Sequence, residues 1–447
     1  MSSLPDPGPM NRDFWPRGVA AELADALRPF VGGDLPVRLR AWDGSEAGPV
    51  DAPLVEVRTP DALRRLVWHP GELGAAQAYV TGELEVHHDL GDALTHVRDV
   101  VRERGLSAVR PSPAAAARAL GTAARLGALG LPPAAPASQA KVRGRLHSMA
   151  RDRAVIGHHY DLSNDFYGLI LDETMAYSSA YWTSADLTLA EAQREKLSLV
   201  CRKVGLEPGM RFLDVGCGWG SLSLHAAEEF GAVVTGVTIS REQKAFIDSA
   251  IAERGLGDRV EIRLQDYREV VSTGSTTADG STTGSFDAVA SIEMGEHVGA
   301  GNYPAYVEVL RRAVKPGGRV LVQQMSRPGK GGGKHPGGGP FIEAFIAPDM
   351  TMRPIGETVG LLEDGGLEVR DVHALREHYV RTVDAWIENF EKHAEELGRL
   401  VPEEVLRVWR LNLVGGRMAF RDGRMGVDQV LAVRPGAAHS LPAERAR

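Results

Sequence analysis

The chain has 447 residues, 43% hydrophobic and 25% charged, with a net charge of −8; that length asks for two folded units, and that balance describes a globular protein rather than a disordered or fibrous one. Its two cysteines, Cys201 and Cys217, exclude a disulfide framework and a cysteine-built metal site, so no metal and a reducing, cytoplasmic setting are expected. The first residues show no basic start followed by an apolar core, and no run reaches about 18 apolar residues, so neither an export signal nor a membrane span is expected.

Residues 1–104 mix short strand and helix patterns, such as Leu54 to Arg58 followed by Pro60 to Val67, and read as a small α/β or α+β domain without clustered catalytic residue types. Residues 105–150 read as a connector rich in alanine and proline. From Arg102 to Arg153 the chain holds ten Lys or Arg against only Glu103 and Asp152, which suits an anionic surface. This stretch has no tyrosine, phenylalanine or tryptophan to stack on bases, so nucleic acid is not the expected partner. Ala114 to Leu131 instead suits a lipid interface, with Arg118, Thr122 and Arg125 sharing a helical face. A solvated linker is the alternative, because Gly121, Gly127 and Gly130 weaken a helix there and Pro132, Pro133 and Pro136 end it.

Over residues 151–437 strand and helix alternate, with strands expected at Phe212–Val215, Val233–Val237, Val260–Leu264, Phe286–Ile292 and Arg319–Gln324; residues 438–447 form a tail. The pattern predicts a doubly wound α/β, Rossmann-like domain whose largely parallel sheet carries helices on both faces and binds ligands beyond the strands' C-terminal ends. Two inserts interrupt it: Ser272 to Ser285, nearly all Ser, Thr and Gly, and Gly329 to Gly339, with seven glycines, which reads as either a lid or a loose loop.

The run Phe212-Leu213-Asp214-Val215-Gly216-Cys217-Gly218-Trp219-Gly220 ends an apolar strand at an acid and turns through three glycines toward a helix over Ser221 to Phe230. Gly216, Gly218 and Gly220 allow positive φ or a close ligand approach. The G-x-G-x-G spacing, with no Gly-Lys-Ser/Thr after it, fits S-adenosylmethionine (SAM) better than a dinucleotide or a nucleoside triphosphate. Thr238, Ser240 and Gln243 close the second strand with neutral hydrogen-bonding groups for a ribose, and Gln265 and Asp266 at the end of the third suit an adenine amino group that Tyr267 would cover. The fourth strand runs into Glu293-Met294-Gly295-Glu296-His297-Val298-Gly299, two carboxylates and an imidazole aimed at the same crevice.

Further segments carry a resemblance: His158-His159-Tyr160-Asp161, Met175-Ala176-Tyr177-Ser178-Ser179-Ala180-Tyr181-Trp182, the glycine loop, Gly236 to Gln243, Glu296-His297-Val298-Gly299 with Asn302-Tyr303, and His378-Tyr379-Val380-Arg381-Thr382 leading to Trp386. In this order, from residue 155 to about 430, they resemble the cyclopropane-fatty-acyl-phospholipid synthase family, which includes the mycolic acid cyclopropane synthases. Upstream, Arg40 to Gly44 and Ala78 to Gly82 resemble that family's N-terminal lipid-binding domain more weakly.

The resemblance implies methyl transfer from SAM to the double bond of an unsaturated acyl chain in phospholipid, by an enzyme at the inner face of the membrane. It places Tyr177 and Ser178 at the cofactor. It also implies a bicarbonate base: Glu296 and Tyr379 match two of its usual holders, while Ser179 stands where a cysteine is usual and Gln323 where a histidine is usual. His297 joins this set, more as a structural histidine than as a proton carrier, and Glu293 either adds negative potential or faces solvent. Gly295 replaces a usual phenylalanine and is expected to loosen the wall around a carbocation, favouring an exocyclic methylene over a cyclopropane ring, with a separate reductase making the methyl branch. A methyltransferase of a soluble natural product and an idle lipid-binding protein are the alternatives, and a homo-oligomer is compatible with all three.

Overall fold

The computed structural model describes residues 18–105, 112–141, 144, 147, 151, 162–270, 285–329, 335–443 and 446–447. The His158 to Asp161 motif, nearly all of the Ser272 to Ser285 insert and residues 330–334 of the glycine-rich segment lie outside them. The chain divides into two units, Met1–Gln139 with Glu403–Val414, and Ala140–Pro402 with Gly415–Arg447.

In the first unit, β1 (Arg38–Ala41), β2 (Glu46–Ala47), β3 (Leu54–Val57) and β4 (Leu84–Val86) form a sheet in the order β2-β1-β3-β4, parallel between β1 and β3 and antiparallel at both edges. Its core gathers Val19, Leu23, Leu39, Val57, Ala78 and Leu126, all under one tenth exposed. Arg65, itself buried, forms a two-pronged ion pair with Glu83 at 2.7 and 2.9 Å, the geometry that makes a guanidinium tolerable in a core.

The expected connector is not a free linker. Pro113–Arg125 is a helix, with Ser112 capping its N-terminus by accepting from Ala115 N–H and Pro113 supplying the fixed φ of a first turn. It packs on the helices Val19–Val31 and Pro60–Trp68, burying Ala115, Thr122 and Ala123, so the first unit runs to Gln139 rather than 104. Alanines make this face narrow enough to lie close against its neighbours; Thr122 is buried at its border, where its hydroxyl accepts from Arg125 Nη2 at 3.1 Å.

The second unit adds β5 (Arg211–Val215), β6 (Val233–Thr238), β7 (Val260–Leu264), β8 (Phe286–Ile292), β9 (Val314–Ser326), β10 (Glu368–Ala374) and β11 (Gly426–Val433), ordered β10-β11-β9-β8-β5-β6-β7. From β9 to β7 every pair is parallel, while β11 and β10 join antiparallel at one edge. Phe212, Leu213 and Val215 are fully buried, which is how β5, covered on both faces, comes to be a continuous apolar run. One face packs under the helices Leu189–Val204, Ser221–Phe230 and Arg241–Arg254, the other under Tyr303–Ala313 and Ile355–Asp364. The strand order reverses direction of growth between β5 and β8, and the crevice at that switch is where a ligand belongs.

Candidate active site

β5 delivers Asp214 and then the glycine turn, in which Gly216, Gly218 and Gly220 have φ of 78°, 56° and 84°. A Cβ on Gly216 would stand 2.7 Å from Met294 Cγ and one on Gly220 would stand 2.9 Å from Ile247 Cγ2, whereas one on Gly218 would meet nothing within 4 Å. Gly220 therefore serves packing, Gly216 serves packing while also lining the cavity beside it, and Gly218 presents bare backbone to that cavity. That cavity, about 170 Å³, is lined at one end by Thr238, Gln243, Gln265, Asp266 and Tyr267 and at the other by Tyr177, Ser178, Lys196, Asp214 and Glu293.

At the first end Thr238 Oγ1 donates to Gln243 Oε1 at 2.8 Å, which orients the Gln243 amide and leaves its NH2 to donate. Ser240 is not on the lining; its hydroxyl caps the helix Arg241–Arg254 by accepting from Gln243 N–H at 3.2 Å, a role its position just before a helix explains. The Asp266 carboxylate receives Arg268 Nε and Nη2, both at 2.7 Å. Asp214 is 2% exposed and burial lifts its carboxyl to about 6, opposed by the Ser223 hydroxyl that donates to it at 2.8 Å.

At the other end, three segments far apart in the chain meet on one carboxylate. Ser179 N–H and Gln323 Nε2 both donate to Glu293 Oε1 at 2.9 Å, and Tyr379 OH donates to Glu293 Oε2 at 2.8 Å. Gln429 Nε2 donates to Gln323 Oε1 at 2.9 Å, so the Gln323 amide can only point its NH2 at Glu293. Tyr379 is stacked on Phe420 at 4.3 Å and sits edge-on to Trp386, which packs on Tyr177. Glu293 adopts φ of 49°, a left-handed turn unusual for a non-glycine residue, and this turn at the end of β8 swings its side chain into the cavity instead of out to solvent. Burial raises its carboxyl above the usual range, while the Ser179, Gln323 and Tyr379 donors and the charge of Lys196 pull the other way.

Glu296 occupies a different place from the one expected of it. It is 1% exposed and absent from the cavity lining; its Oε1 accepts from Met325 N–H at 2.6 Å, and its Oε2 has no hydrogen-bond partner among the described residues. Burial, and then the charge of Glu293, push its carboxyl up to about 8. Ser179 also acts otherwise than expected: its backbone holds the acid, while its hydroxyl donates to Ala180 O at 3.1 Å. His297 does line the cavity, and burial lowers it to about 4, so it is a neutral imidazole near pH 7. Gly295 leaves no loosened wall, because a Cβ there would lie 2.2 Å from Gln324 Oε1: the Gln324 side chain, held by Tyr303 OH and Thr358 Oγ1, has taken the space. Lys196, which sequence reasoning passed over, lies 1% exposed under Ser178; a lysine on the apolar face of the helix Leu189–Val204 was its only signal.

The sequence profile of the mycolic acid cyclopropane synthetase family matches residues 147–430. A probable fatty acid methyltransferase of Pseudomonas putida is 35% identical over 429 residues, covering 94% of this chain and 98% of its own. The tuberculostearic acid methyltransferase UfaA1 of Mycobacterium tuberculosis is 32% identical over 439 residues and covers 94% of each. Among solved structures, mycolic acid cyclopropane synthase CmaA1 complexed with S-adenosylhomocysteine and CTAB superposes with a TM-score of 0.56 at 29% identity, over 63% of this chain and 98% of its own. With the glycine turn, the two-ended crevice and these likenesses together, the chain belongs to the mycolic acid cyclopropane synthetase family of SAM-dependent methyltransferases.

Proposed function

We propose that this protein adds a one-carbon unit from SAM to the double bond of an unsaturated acyl chain in phospholipid, that Glu293 takes up the proton released afterwards, and that the product carries an exocyclic methylene. The observation that carries this reading is the convergence of Ser179, Gln323 and Tyr379 on the Glu293 carboxylate. The cavity suits SAM: Gly218 offers bare backbone, Gln243 and Gln265 offer amides, and Tyr267 offers an aromatic face. When bound, SAM supplies an electrophilic methyl group.

An alkene is a weak nucleophile, so the chain's work is to exclude water and to favour positive charge on the acyl carbons. Tyr177 lines the cavity and is backed by Trp386 and then Tyr379, with ring centroids 5.3 and 5.9 Å apart; an aromatic face and a carboxylate both attract a cation. His297, being neutral, adds no opposing charge. Glu293 is then the nearest base: its raised carboxyl is a better proton acceptor than an exposed glutamate, and its three donors fix the direction of its oxygens. The Ser179, Gln323 and Tyr379 positions that the resemblance assigns to a bicarbonate ion are engaged by Glu293, so the residues present do not fit that ion and no step is routed through it.

Two relatives matched over nearly their whole length are named as fatty acid and tuberculostearic acid methyltransferases, which favours a branch over a ring. A separate reductase would saturate the methylene. Contact with the anionic inner face of a membrane is supported by the first unit, where Leu120, Leu129, Leu131 and Trp68 are exposed and Trp68 Nε1 donates to Gly130 O at 3.1 Å, placing the indole beside the two later leucines. Arg64 and Arg118 flank them. Among the described residues no helix is long and apolar enough to cross a membrane.

The test is expression in a host that makes oleoyl phospholipids and lacks modified chains, followed by mass spectrometry and NMR of the lipids. Olefinic signals of a terminal methylene are expected. Cyclopropane protons would overturn the product assignment, and unaltered lipids with methyl transfer to a soluble acceptor would overturn the substrate.

A further inference from the structure

Lys196 stands apart from the other buried lysine of its helix. Lys203 has Asp371 at 3.6 Å as an ion-pair partner and His373 Nδ1 at 3.0 Å, so its burial is accounted for by the surrounding fold. Lys196 has a single hydrogen bond, from Nζ to Ser178 Oγ at 2.9 Å, and among the described residues no carboxylate within 4.0 Å. Its Nζ carries three protons, and a buried ammonium with one acceptor is costly unless something else accepts from it. The helix that carries it is firmly set: Thr188 and Glu191 form a capping box at one end and Gly205 closes the other with φ of 69°. Gln193, one turn earlier, donates to Ala176 O and Ser178 O at 3.2 and 2.8 Å, fixing the strip on which Ser178 sits. Lysine and serine are thus held together at the edge of the cavity, and both line it.

The arrangement of the cavity says which part of SAM reaches them. The sulfur joins the adenosyl group, the transferable methyl and the amino-acid chain. With the nucleoside at the Gln243, Gln265 and Tyr267 end, and the methyl directed toward the base Glu293, the amino-acid chain is left at the end formed by Ser178, Lys196 and Asp214. That chain is a zwitterion, so it needs an acceptor for its ammonium and a donor set for its carboxylate. Asp214, which lines the cavity and receives only Ser223 in hydrogen bonds among the described residues, has carboxylate lone pairs left to accept from that ammonium. We infer that Lys196 and the Ser178 hydroxyl form the receptor for the α-carboxylate of SAM, making Lys196 the residue that selects a cofactor with an intact amino-acid tail. Burial holding Lys196 down to about 8, with Glu293, Asp172 and Asp214 opposing, agrees with an ammonium that lacks a close counter-ion until the cofactor arrives.

The inference rests on the reading of this cavity as the SAM site, and calorimetry with two ligands separates them. S-adenosylhomocysteine (SAH) has the carboxylate; its decarboxylated analogue keeps the ammonium, thioether and nucleoside. Wild-type protein that binds neither ligand would overturn the cavity assignment itself. With that binding in place, Lys196→Met is expected to weaken SAH by ten- to a hundredfold and to leave the analogue within about threefold. Equal losses for both ligands, or none for SAH, would overturn the role of Lys196. Ser178→Ala, a smaller change that removes only the hydroxyl, decides the matter if Lys196→Met does not fold: it is expected to weaken SAH several-fold and spare the analogue, and parallel losses would refute the pairing.

Discussion

Glu293→Gln separates the roles of two carboxylates, of which Glu293 lines the cavity and the buried Glu296 does not. Glutamine has the shape of glutamate and keeps one carbonyl oxygen for the two donors now on Oε1, Ser179 N–H and Gln323 Nε2; the Tyr379 hydroxyl can turn to accept from the new NH2. The hydrogen-bonded frame therefore survives and only the basicity is lost. Removing a positioned general base costs about 10²- to 10⁴-fold in kcat, equivalent to about 3–5 kcal/mol of barrier. The assay is transfer of labelled methyl from SAM into oleoyl phospholipid vesicles, with SAH affinity measured in parallel and expected within about threefold of wild type because the change is at the reacting end of the pocket. Glu296→Gln is the control: its carbonyl keeps the Met325 N–H bond and its side chain is off the cavity, so kcat should fall by less than about tenfold. A larger loss from Glu296→Gln than from Glu293→Gln would refute the assignment of the base, and a Glu293→Gln enzyme of near wild-type rate would show that another group or a bound anion removes the proton.

Three further outcomes rest on particular contacts in the fold. Gly295→Ala drives a Cβ to 2.2 Å from Gln324 Oε1, so thermal or urea unfolding should show a loss of about 1–3 kcal/mol, while an unchanged midpoint would mean the Gln324 bonds to Tyr303 and Thr358 yield easily. Leu131, 84% exposed, and Trp68, 48% exposed, have apolar area to give to a lipid interface; Leu131→Asp with Trp68→Ala should lower co-sedimentation with anionic vesicles at least about tenfold, and equal binding would place the lipid contact elsewhere. Glu296 has a carboxyl raised from 4.5 to about 8, so the folded state binds a proton that the unfolded state has released, and wild type loses stability as pH rises between those values. Glu296→Gln removes that loss: its advantage over wild type in melts should be larger at pH 8 than at pH 5 by on the order of 3 kcal/mol, and a pH-independent difference would mean Glu296 is ionised in the fold.

The parallel half of the sheet was legible because its strands are buried on both faces: Val260–Leu264, Phe286–Ile292 and the helix Ser221–Phe230 have the bounds that apolar runs and glycine punctuation indicate. β10 was not, since Glu368–Ala374 lies at the sheet edge and alternates partly exposed polar and apolar residues without a strong signal, and β11, buried between β10 and β9, was hidden because Asp428 and Gln429 interrupt its apolar run. The segment after residue 104 reads as a linker by composition, and only tertiary contact with Val19–Val31 turns its alanines into a packing face. The same limit governed the site. The resemblance gathered Glu296, Ser179, Gln323 and Tyr379 as a group and the end of the fourth strand added Glu293 beside them, but choosing between acids three residues apart depended on the backbone of Glu293, and a φ of 49° at a glutamate has no sequence signature.

The donors around Glu293 also bear on which product forms. Both products lose a proton from the transferred methyl. If it leaves while the cation is still on the neighbouring carbon, a ring closes; if a hydride crosses first, the same loss gives an exocyclic methylene. The hydride shift is internal to the acyl chain and needs no residue, so the partition is set by how quickly the base acts. Each hydrogen bond that stabilises the charged carboxylate lowers its appetite for a proton, and Glu293 accepts three. Tyr379→Phe removes the one on Oε2 while keeping the ring on Phe420. A bond to a charged group is worth about 1.5–3 kcal/mol, enough to make proton loss compete, so cyclopropane should rise to at least about a tenth of the product in NMR of lipids from the purified variant. A lower turnover with no ring at all would show that the timing is set by the distance between Glu293 and the acyl chain rather than by the basicity of its carboxylate.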